Sequence, residues 1–431
     1  MKRDLTIRLR IPGYKTTLIF LWFLNIYTLS VVRFLLVRVG INEGPIRTAV
    51  LWLAATIPFI GYLIYLPKIG FSRFAPFFLL FLVIATAWGF TALTNPAAAV
   101  FLVRDTYGPE RFFRPDAPLF AFLFFLMFDD PKELHRDVTS FAYLYFFYEV
   151  VVSLIPAMLR GYWINVGPSG EELHSRYSLS FGYAMCFPTI VFMHNAIRKK
   201  NLFHIVAAVA GVICIVLNGN RGALLLPIIF VALMVHSGIV QGRSVSKKAL
   251  KITLILFFCA GVLFFGEWLL RQLASMLVKA GISSRSLNMI LEGSITDENG
   301  REIIWQTVIA AIKKGNILGY GVYGDRPFVF PVHYVGYSHN LFLELIVSFG
   351  AVGVLIILWI IGDAVYMFFF CRDRDWRELY MIFFAISCQL MLSLSFWYVW
   401  EFWAAVAIAF RYRWLGRRKT RFCGFEACRS S

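Results

Sequence analysis

Cysteine is scarce and poorly placed for an extracellular or metal-binding role. Of seven cysteines in 431 residues, Cys186, Cys214, Cys259 and Cys388 lie in apolar runs, and Cys371, Cys423 and Cys428 fall in basic segments. None falls in the one long polar stretch, 270–339, so neither a structural disulfide nor a cysteine metal site is expected there. Cys423 and Cys428 form a pair without a second pair, which is weak ground for zinc. The chain also lacks an internal repeat and a low-complexity segment. It shows no cleavable signal: the first apolar run is long and has no small-residue cleavage site, so it is expected to stay as an anchor.

Apolar sequence is what the chain has in excess. Hydrophobic residues make up 59% and aromatics 17%. Soluble domains run about 45–50% apolar, so a polytopic, all-α membrane protein is expected. Its 44 phenylalanines suit lipid-facing and inter-helix packing. The net charge of +17 could suggest nucleic acid, but lysine and arginine cluster in short loops and tails, as the positive-inside rule predicts. Nucleic acid is therefore set aside as a partner, and the lipid bilayer takes its place.

A helix needs about 20 apolar residues to cross the hydrocarbon core. Runs that meet this are 16–36, 48–66, 74–93, 139–158, 178–196, 202–218, 222–240, 252–269, 341–363, 378–394 and 395–411. A shorter run, 113–129, is cleanly apolar only from Pro118 to Phe128, and the last two runs are hardly separated. Charge tests the count. With the N-terminus inside, Lys68 with Arg73, Lys132 with Arg136, Arg198 to Lys200, Arg243 to Lys251, Arg372 to Arg377 and the tail from Arg411 all fall on the cytoplasmic side if 113–129 crosses. Without it, the Arg198 and Lys247 clusters move outside. Twelve spans with both termini cytoplasmic fit best.

The expected layout is one transmembrane domain over 1–421, a basic cytoplasmic tail over 411–431 and a loop subdomain over 270–339 between the ninth and tenth spans. Within that loop, Asp297 to Asn299 supply capping chemistry. Ile303, Ile304, Trp305, Val308, Ile309 and Ile312 then recur at helical spacing, so 300–314 reads as an amphipathic helix along the membrane surface.

On this topology the outer face collects 160–177, the turn 218–222 and the loop 270–339. Three of seven histidines, His174, His333 and His339, lie there. His339 precedes a span, where water thins. It is either an interfacial capping residue or a neutral imidazole base. Asn340 and Glu344 share the helix face that follows, while Glu344 is about 140° round from His339. Arg221 stands beside Gly222 at an outward-facing helix start, suited to phosphate or else to snorkelling. Arg176 and Arg301 strengthen the anion reading; Arg285 and Arg326 are less well placed.

Gly319-Tyr320-Gly321-Val322-Tyr323-Gly324 matches G-x-G-x-x-G literally, yet Asp325-Arg326-Pro327 follows in place of a helix. It reads as a glycine-rich turn packing the loop near the membrane. No outward carboxylate pair has metal-site spacing, and Asp373 and Asp375 read as a solvated charge run; no metal and no cofactor are expected. A histidine and several arginines at the lipid interface suit a substrate that carries its own activation as a membrane-bound diphosphate. The arginines would hold the leaving diphosphate and the histidine would take a proton from the attacking hydroxyl.

These residues resemble the O-antigen ligase and O-antigen polymerase superfamily. The likeness rests on Asn220-Arg221-Gly222-Ala223-Leu224-Leu225, on Gly300-Arg301-Glu302-Ile303-Ile304-Trp305 running into Gly319-Tyr320-Gly321, and on Ser338-His339-Asn340-Leu341-Phe342 with Gly350. Two ligase-type spacings fit: arginine, three residues, leucine (Arg221, Leu225) and histidine, ten residues, glycine (His339, Gly350). The likeness covers roughly 175–360.

It implies a GT-C-like, metal-independent, inverting glycosyltransferase of the bacterial inner membrane. The donor would be an undecaprenyl-diphosphate-linked glycan on the periplasmic face. His339 would be the base and Arg221 and Arg301 the diphosphate holders. Arg176 is a looser third, because Tyr177-Ser178-Leu179 only partly follow the pattern. A ligase passes the glycan to lipid A core, and a polymerase passes it to another lipid-linked unit, with a chain-length regulator as a further candidate partner. Polymerase is preferred slightly, since polysaccharide gene sets supply many such proteins; the ligase-type spacings argue the other way. The rival class is a transporter or lipid-glycan flippase with Glu149, Glu267 and Glu401 lining a pathway, but no inverted repeat supports it.

Overall fold

Long apolar runs with proline near their first turns give long helices, because proline presets φ where the backbone N–H has no intrahelical partner. The computed structural model describes residues 13–41, 44–103, 110–166, 172–175, 178–218, 220–240, 300–315, 317–333 and 336–427, with 272, 275 and 276. The chain opens with α1 (Tyr14–Arg38), α2 (Pro45–Ile69), α3 (Ala75–Thr94), α4 (Pro96–Leu102), α5 (Glu110–Phe113), α6 (Phe120–Phe125) and α7 (Pro131–Glu149). A π-helical turn, Val150–Leu154, carries α7 into α8 (Ile155–Arg160). The antiparallel hairpin β1 (Trp163–Val166) and β2 (Glu172–Ser175) follows, with Ile164 opposite His174. Then come α9 (Leu179–Ala184), α10 (Cys186–Lys199), α11 (Leu202–Asn218) and α12 (Arg221–Val240). The last five are α13 (Arg301–Lys314), α14 (Arg326–Val329), α15 (Leu341–Val365), α16 (Arg374–Ser387) and α17 (Trp400–Ala427).

Among the described residues the fold is therefore almost wholly α, with one short hairpin. Among the described residues, Pro45–Ile69, Ala75–Thr94, Pro131–Arg160 and Leu341–Phe370 are long and apolar enough to cross a membrane, and Leu202–Asn218 and Gly222–Gly238 are shorter apolar helices. The expected span 252–269 and nearly all of 270–299 lie outside the described residues. Expected spans 178–196 and 378–394 are each broken: the first at Met185 between α9 and α10, the second where α16 gives way to a 3₁₀ turn, Cys388–Met391.

Beyond Phe113, which ends α5, the expected span 113–129 contains only the six-residue α6, about 9 Å of helix at 1.5 Å per residue. The chain nonetheless returns the length of α3 there. At one end Asn95 Nδ2 donates to the Tyr320 carbonyl at 2.7 Å; at the other Asp129 pairs with Arg73, which precedes α3, and with Arg411. A helix apolar on every side has to be buried. From Phe120 to Phe128 no residue is more than 3% exposed. Aromatic rings enclose it: Trp22 lies 5.3 Å from Phe124, and Phe125 lies 5.1 Å from Phe383. Lipid is as apolar as these side chains, so close packing holds this centre together and the hydrophobic effect adds little.

At the other end of the fold α15 is kinked. Gly350 has φ +54 and ψ −126, which interrupts the helical hydrogen bonds around it. The released carbonyls of Val347 and Ser348 accept from Tyr320 N at 2.9 Å and Gly321 N at 2.7 Å, while Ala351 N donates to Ile317 O at 2.8 Å. The glycine-rich turn is thus bolted to α15 through backbone. A Cβ on Gly350 would sit 2.1 Å from the Ile317 oxygen. Gly350→Ala is expected to cost more than about 2 kcal/mol, combining left-handed strain with the clash. A thermal melt in detergent checks this; an unchanged midpoint would mean the kink is not a structural requirement.

Against this seam packs α13. Its buried stripe, Ile304, Val308 and Ala311, meets Val329 and Val347, while Ile303 and Ile309 stay exposed. The inner half of the expected apolar stripe therefore covers protein, because α14 and α15 present an apolar face there.

Candidate active site

The chain reaches α15 through Ser338-His339-Asn340, and each of the three is fixed by a different device. Asn340 caps α15, its side-chain oxygen accepting from Phe342 N at 2.9 Å and Leu343 N at 3.1 Å. Ser338 donates to Asp325 Oδ2 from both its N–H, at 2.9 Å, and its hydroxyl, at 2.6 Å, and its carbonyl accepts from Trp305 Nε1 at 3.2 Å. Between them His339 takes φ +51, in the left-handed region. Such a conformation costs about 1–3 kcal/mol and persists only where neighbours on both sides dictate it.

The His339 ring is buried, and among the described residues its Nδ1 has no hydrogen-bond partner. Burial pushes its pKa down to about 3, with the positive charge of Arg301, the adjacent His333 and Arg326 acting in the same direction. The imidazole is therefore neutral at physiological pH. In the tautomer with its proton on Nε2, Nδ1 presents a lone pair.

A fully buried ion network supports that histidine from below. Arg326 Nη1 lies 2.6 Å from both Asp325 carboxylate oxygens, and Arg326 Nη2 lies 3.4 Å from Glu344 Oε1. Ser395 donates its hydroxyl to the same Glu344 oxygen at 2.5 Å. Burial opposes the Arg326 charge, but the Asp325 and Glu344 carboxylates raise its pKa above the ordinary value. The guanidinium carbon lies 5.0 Å from the Tyr323 ring and 5.5 Å from the Tyr337 ring, and Tyr337 packs against His339 with centroids 4.3 Å apart. Asp325 therefore fixes Ser338 by hydrogen bonds while Arg326 fixes Tyr337 by ring contact.

Arg301 is the first residue of α13, and among the described residues no ion-pair partner offsets its charge. Its field reaches both His339 and Tyr183 of α9. Tyr183 in turn lies against the start of α12: a Cβ on Gly222 would come within 2.3 Å of its hydroxyl. Gly222 is needed there for space. The starts of α12, α13 and α15 are thus linked through Tyr183 and Arg301.

Of the residues singled out from sequence, His339, Arg301, Asn340, Gly222 and Gly350 belong to this assembly or its support. Arg221 begins α12 next to Gly222. Arg176 lies outside the described residues. Glu344 faces Arg326 and Ser395 instead of His339, as its angular offset implied. Arg326, ranked low as an anion holder, is a buried structural cation. Asp325, Tyr183, Tyr337 and Ser395 were missed. Asp325 alone carried a signal, since it directly follows the glycine-rich turn.

No curated protein and no solved structure matches the chain. Residues 206–358, running from α11 into α15 and so including Arg221, Arg301 and His339, match the family model described as O-antigen ligase, which supports the likeness to the O-antigen ligase and polymerase superfamily.

Proposed function

We propose that the protein is a metal-independent, inverting glycosyltransferase that takes a glycan from an undecaprenyl diphosphate on the periplasmic face of the inner membrane. The single observation that carries this reading is a buried, neutral His339 whose Nδ1 has no partner among the described residues, beside an Arg301 that has no ion-pair partner among them. A buried nitrogen without a partner costs about 1–3 kcal/mol, and an acceptor hydroxyl donating to it would remove that cost. The hydroxyl oxygen attacks the anomeric carbon as His339 takes its proton. The new glycosidic bond forms while the bond to the diphosphate breaks on the opposite face. Arg221 and Arg301, with the helix starts behind them, stabilise the departing diphosphate, and Arg176 is proposed to join them.

The twelve-span, GT-C-like topology with both termini cytoplasmic belongs to the same proposal. It is supported by the alternation of basic loops and by the return of the chain between Asn95 and Asp129. Polymerisation onto a second lipid-linked unit is the first acceptor reading. Ligation to lipid A core is the second, favoured by the description of the matching family and by the Arg221–Leu225 and His339–Gly350 spacings.

Proteoliposomes given only a lipid-diphosphate-linked repeat unit, with EDTA present, separate them. A glycan ladder absent from His339→Ala means polymerase, and product only after lipid A core is added means ligase. Substrate crossing the bilayer with no product under either condition would replace the enzyme by a transporter.

The depressed His339 pKa sets a pH expectation. A base whose pKa falls from about 6.5 to about 3 stays deprotonated as pH drops, so kcat/KM should show no acid limb near 6.5 and should hold down to about pH 5. A bound diphosphate offsets the Arg301 field, so the limb in kcat should lie at higher pH than that in kcat/KM. An acid limb in kcat/KM centred on 6.5 would assign the proton transfer to a different, unperturbed histidine.

A further inference from the structure

At the far end of α15 from His339, a cavity of about 390 Å³ lies between the starts of α7 and α16 and the end of α10. Lys132, Arg136 and Lys199 line it together with Asp375 and Glu378. Glu378 is already taken: His194 Nε2 lies 2.9 Å from it, Arg374 Nε lies 2.9 Å away, and Arg198 pairs with it as well. Asp375 is shared between Lys132 at 3.7 Å and Arg198 at 3.6 Å. Arg136 lies 3.4 Å from Asp137, so the cations Lys132, Arg136, Arg198, Lys199 and Arg374 outnumber the carboxylates Asp137, Asp375 and Glu378 around the cavity, and the charge left is positive.

His194 supplies an independent observation. Its side chain is only 8% exposed and lines the cavity, and with Nε2 turned to Glu378 its buried Nδ1 has no partner among the described residues. That atom accepts from a hydroxyl or, when protonated, donates to an anionic oxygen. Much of the remaining wall is apolar, with Pro131 and Leu379 contributing. Cations around a rim, a polar atom at depth and an apolar flank at a membrane boundary match an amphiphile better than a free ion.

We propose that this cavity binds the headgroup of an anionic, hydroxyl-bearing phospholipid, a phosphatidylglycerol, on the membrane face opposite the candidate active site. The phosphate sits among Lys132, Arg136 and Lys199, and a glycerol hydroxyl reaches His194 Nδ1.

The test is native mass spectrometry of the full-length protein with equal amounts of phosphatidylglycerol and phosphatidylcholine. Wild type should retain phosphatidylglycerol preferentially. Each cation near an anionic lipid surface contributes roughly a fivefold preference, so Lys132→Gln/Arg136→Gln/Lys199→Gln together should lower the ratio by about tenfold or more. These side chains are at the rim, and a thermal melt confirms that the variant folds. Arg417→Gln/Arg418→Gln/Lys419→Gln removes as much charge from the tail and should leave the ratio within about twofold. The proposal is overturned by equal retention of the two lipids, by an unchanged ratio in the rim variant, or by an equal loss in the tail variant. Displacement of the lipid by soluble glycerol phosphate at micromolar concentration would also overturn it, assigning the site to a free anion.

Discussion

His339→Ala is expected to lower turnover by about 10²–10⁴-fold, the usual contribution of a positioned general base, while binding of the lipid-linked donor changes by less than about threefold. The split follows from geometry. Nδ1 is buried and unpartnered, so the ring contributes little to holding the ground state, whereas the cationic groups around it are untouched by the change. Alanine also strains the backbone at φ +51, so His339→Asn is the cleaner companion, since asparagine tolerates the left-handed region. Both variants should lose kcat to a similar extent. A rise in KM with kcat preserved would recast His339 as a binding residue.

Arg326→Met is expected to be the most damaging change to stability, about 3–5 kcal/mol, because it leaves the Asp325 and Glu344 carboxylates buried without their cation. The ion network itself adds little net stability; breaking one member is what costs. Arg326→Met/Glu344→Gln should therefore recover part of the loss, since one uncompensated carboxylate has become an amide that Ser395 can still meet. Equilibrium unfolding in mixed detergent would measure both. A single variant as stable as wild type would show that the two carboxylates are already protonated and need no partner.

Turnover should fall in Arg326→Met even in the folded fraction. Asp325, freed from Arg326, no longer holds Ser338, and Tyr337 loses the guanidinium it rests on. The pH profile distinguishes this from simple unfolding. Loosening His339 toward water should move its acid limb upward from about 3, toward an ordinary imidazole.

The parts of this arrangement that sequence exposed are those whose partners are close in the chain. Ser338-His339-Asn340 stands out because a polar cluster abuts a long apolar run, and Arg301 because it opens an apolar stripe at helical spacing. Glu344, by contrast, is 18 residues from Arg326 and 51 from Ser395, and no local pattern links them. Tyr183 looked like one more aromatic in an apolar run; its place at Gly222 arises only when α9 packs on α12. Counting apolar residues also overstated the helix in 113–129. It could not register that Arg114 and Asp116 would form a buried pair at 2.5 Å, or that Trp22 would donate to the Pro115 carbonyl. Between α16 and α17 the same counting left 378–394 and 395–411 hardly separated, and could not register that φ +65 at Leu394 turns the chain there and that Ser395 meets Glu344.

The burial of α6 has a consequence for how the protein is made. Its polar end is closed by the C-terminal helix, since Arg411 donates Nε to the Phe128 carbonyl at 3.2 Å and pairs with Asp129. Translation delivers Arg411 some 280 residues after Phe128, when most of the membrane helices have already left the ribosome. Until then the segment has neither a span's length to hold it in lipid nor the partner that covers its backbone. The nascent chain must keep a gap open among its early helices until α17 arrives to close it. A truncation before Arg411 would therefore leave a chain with an unsealed centre, a target for membrane proteases.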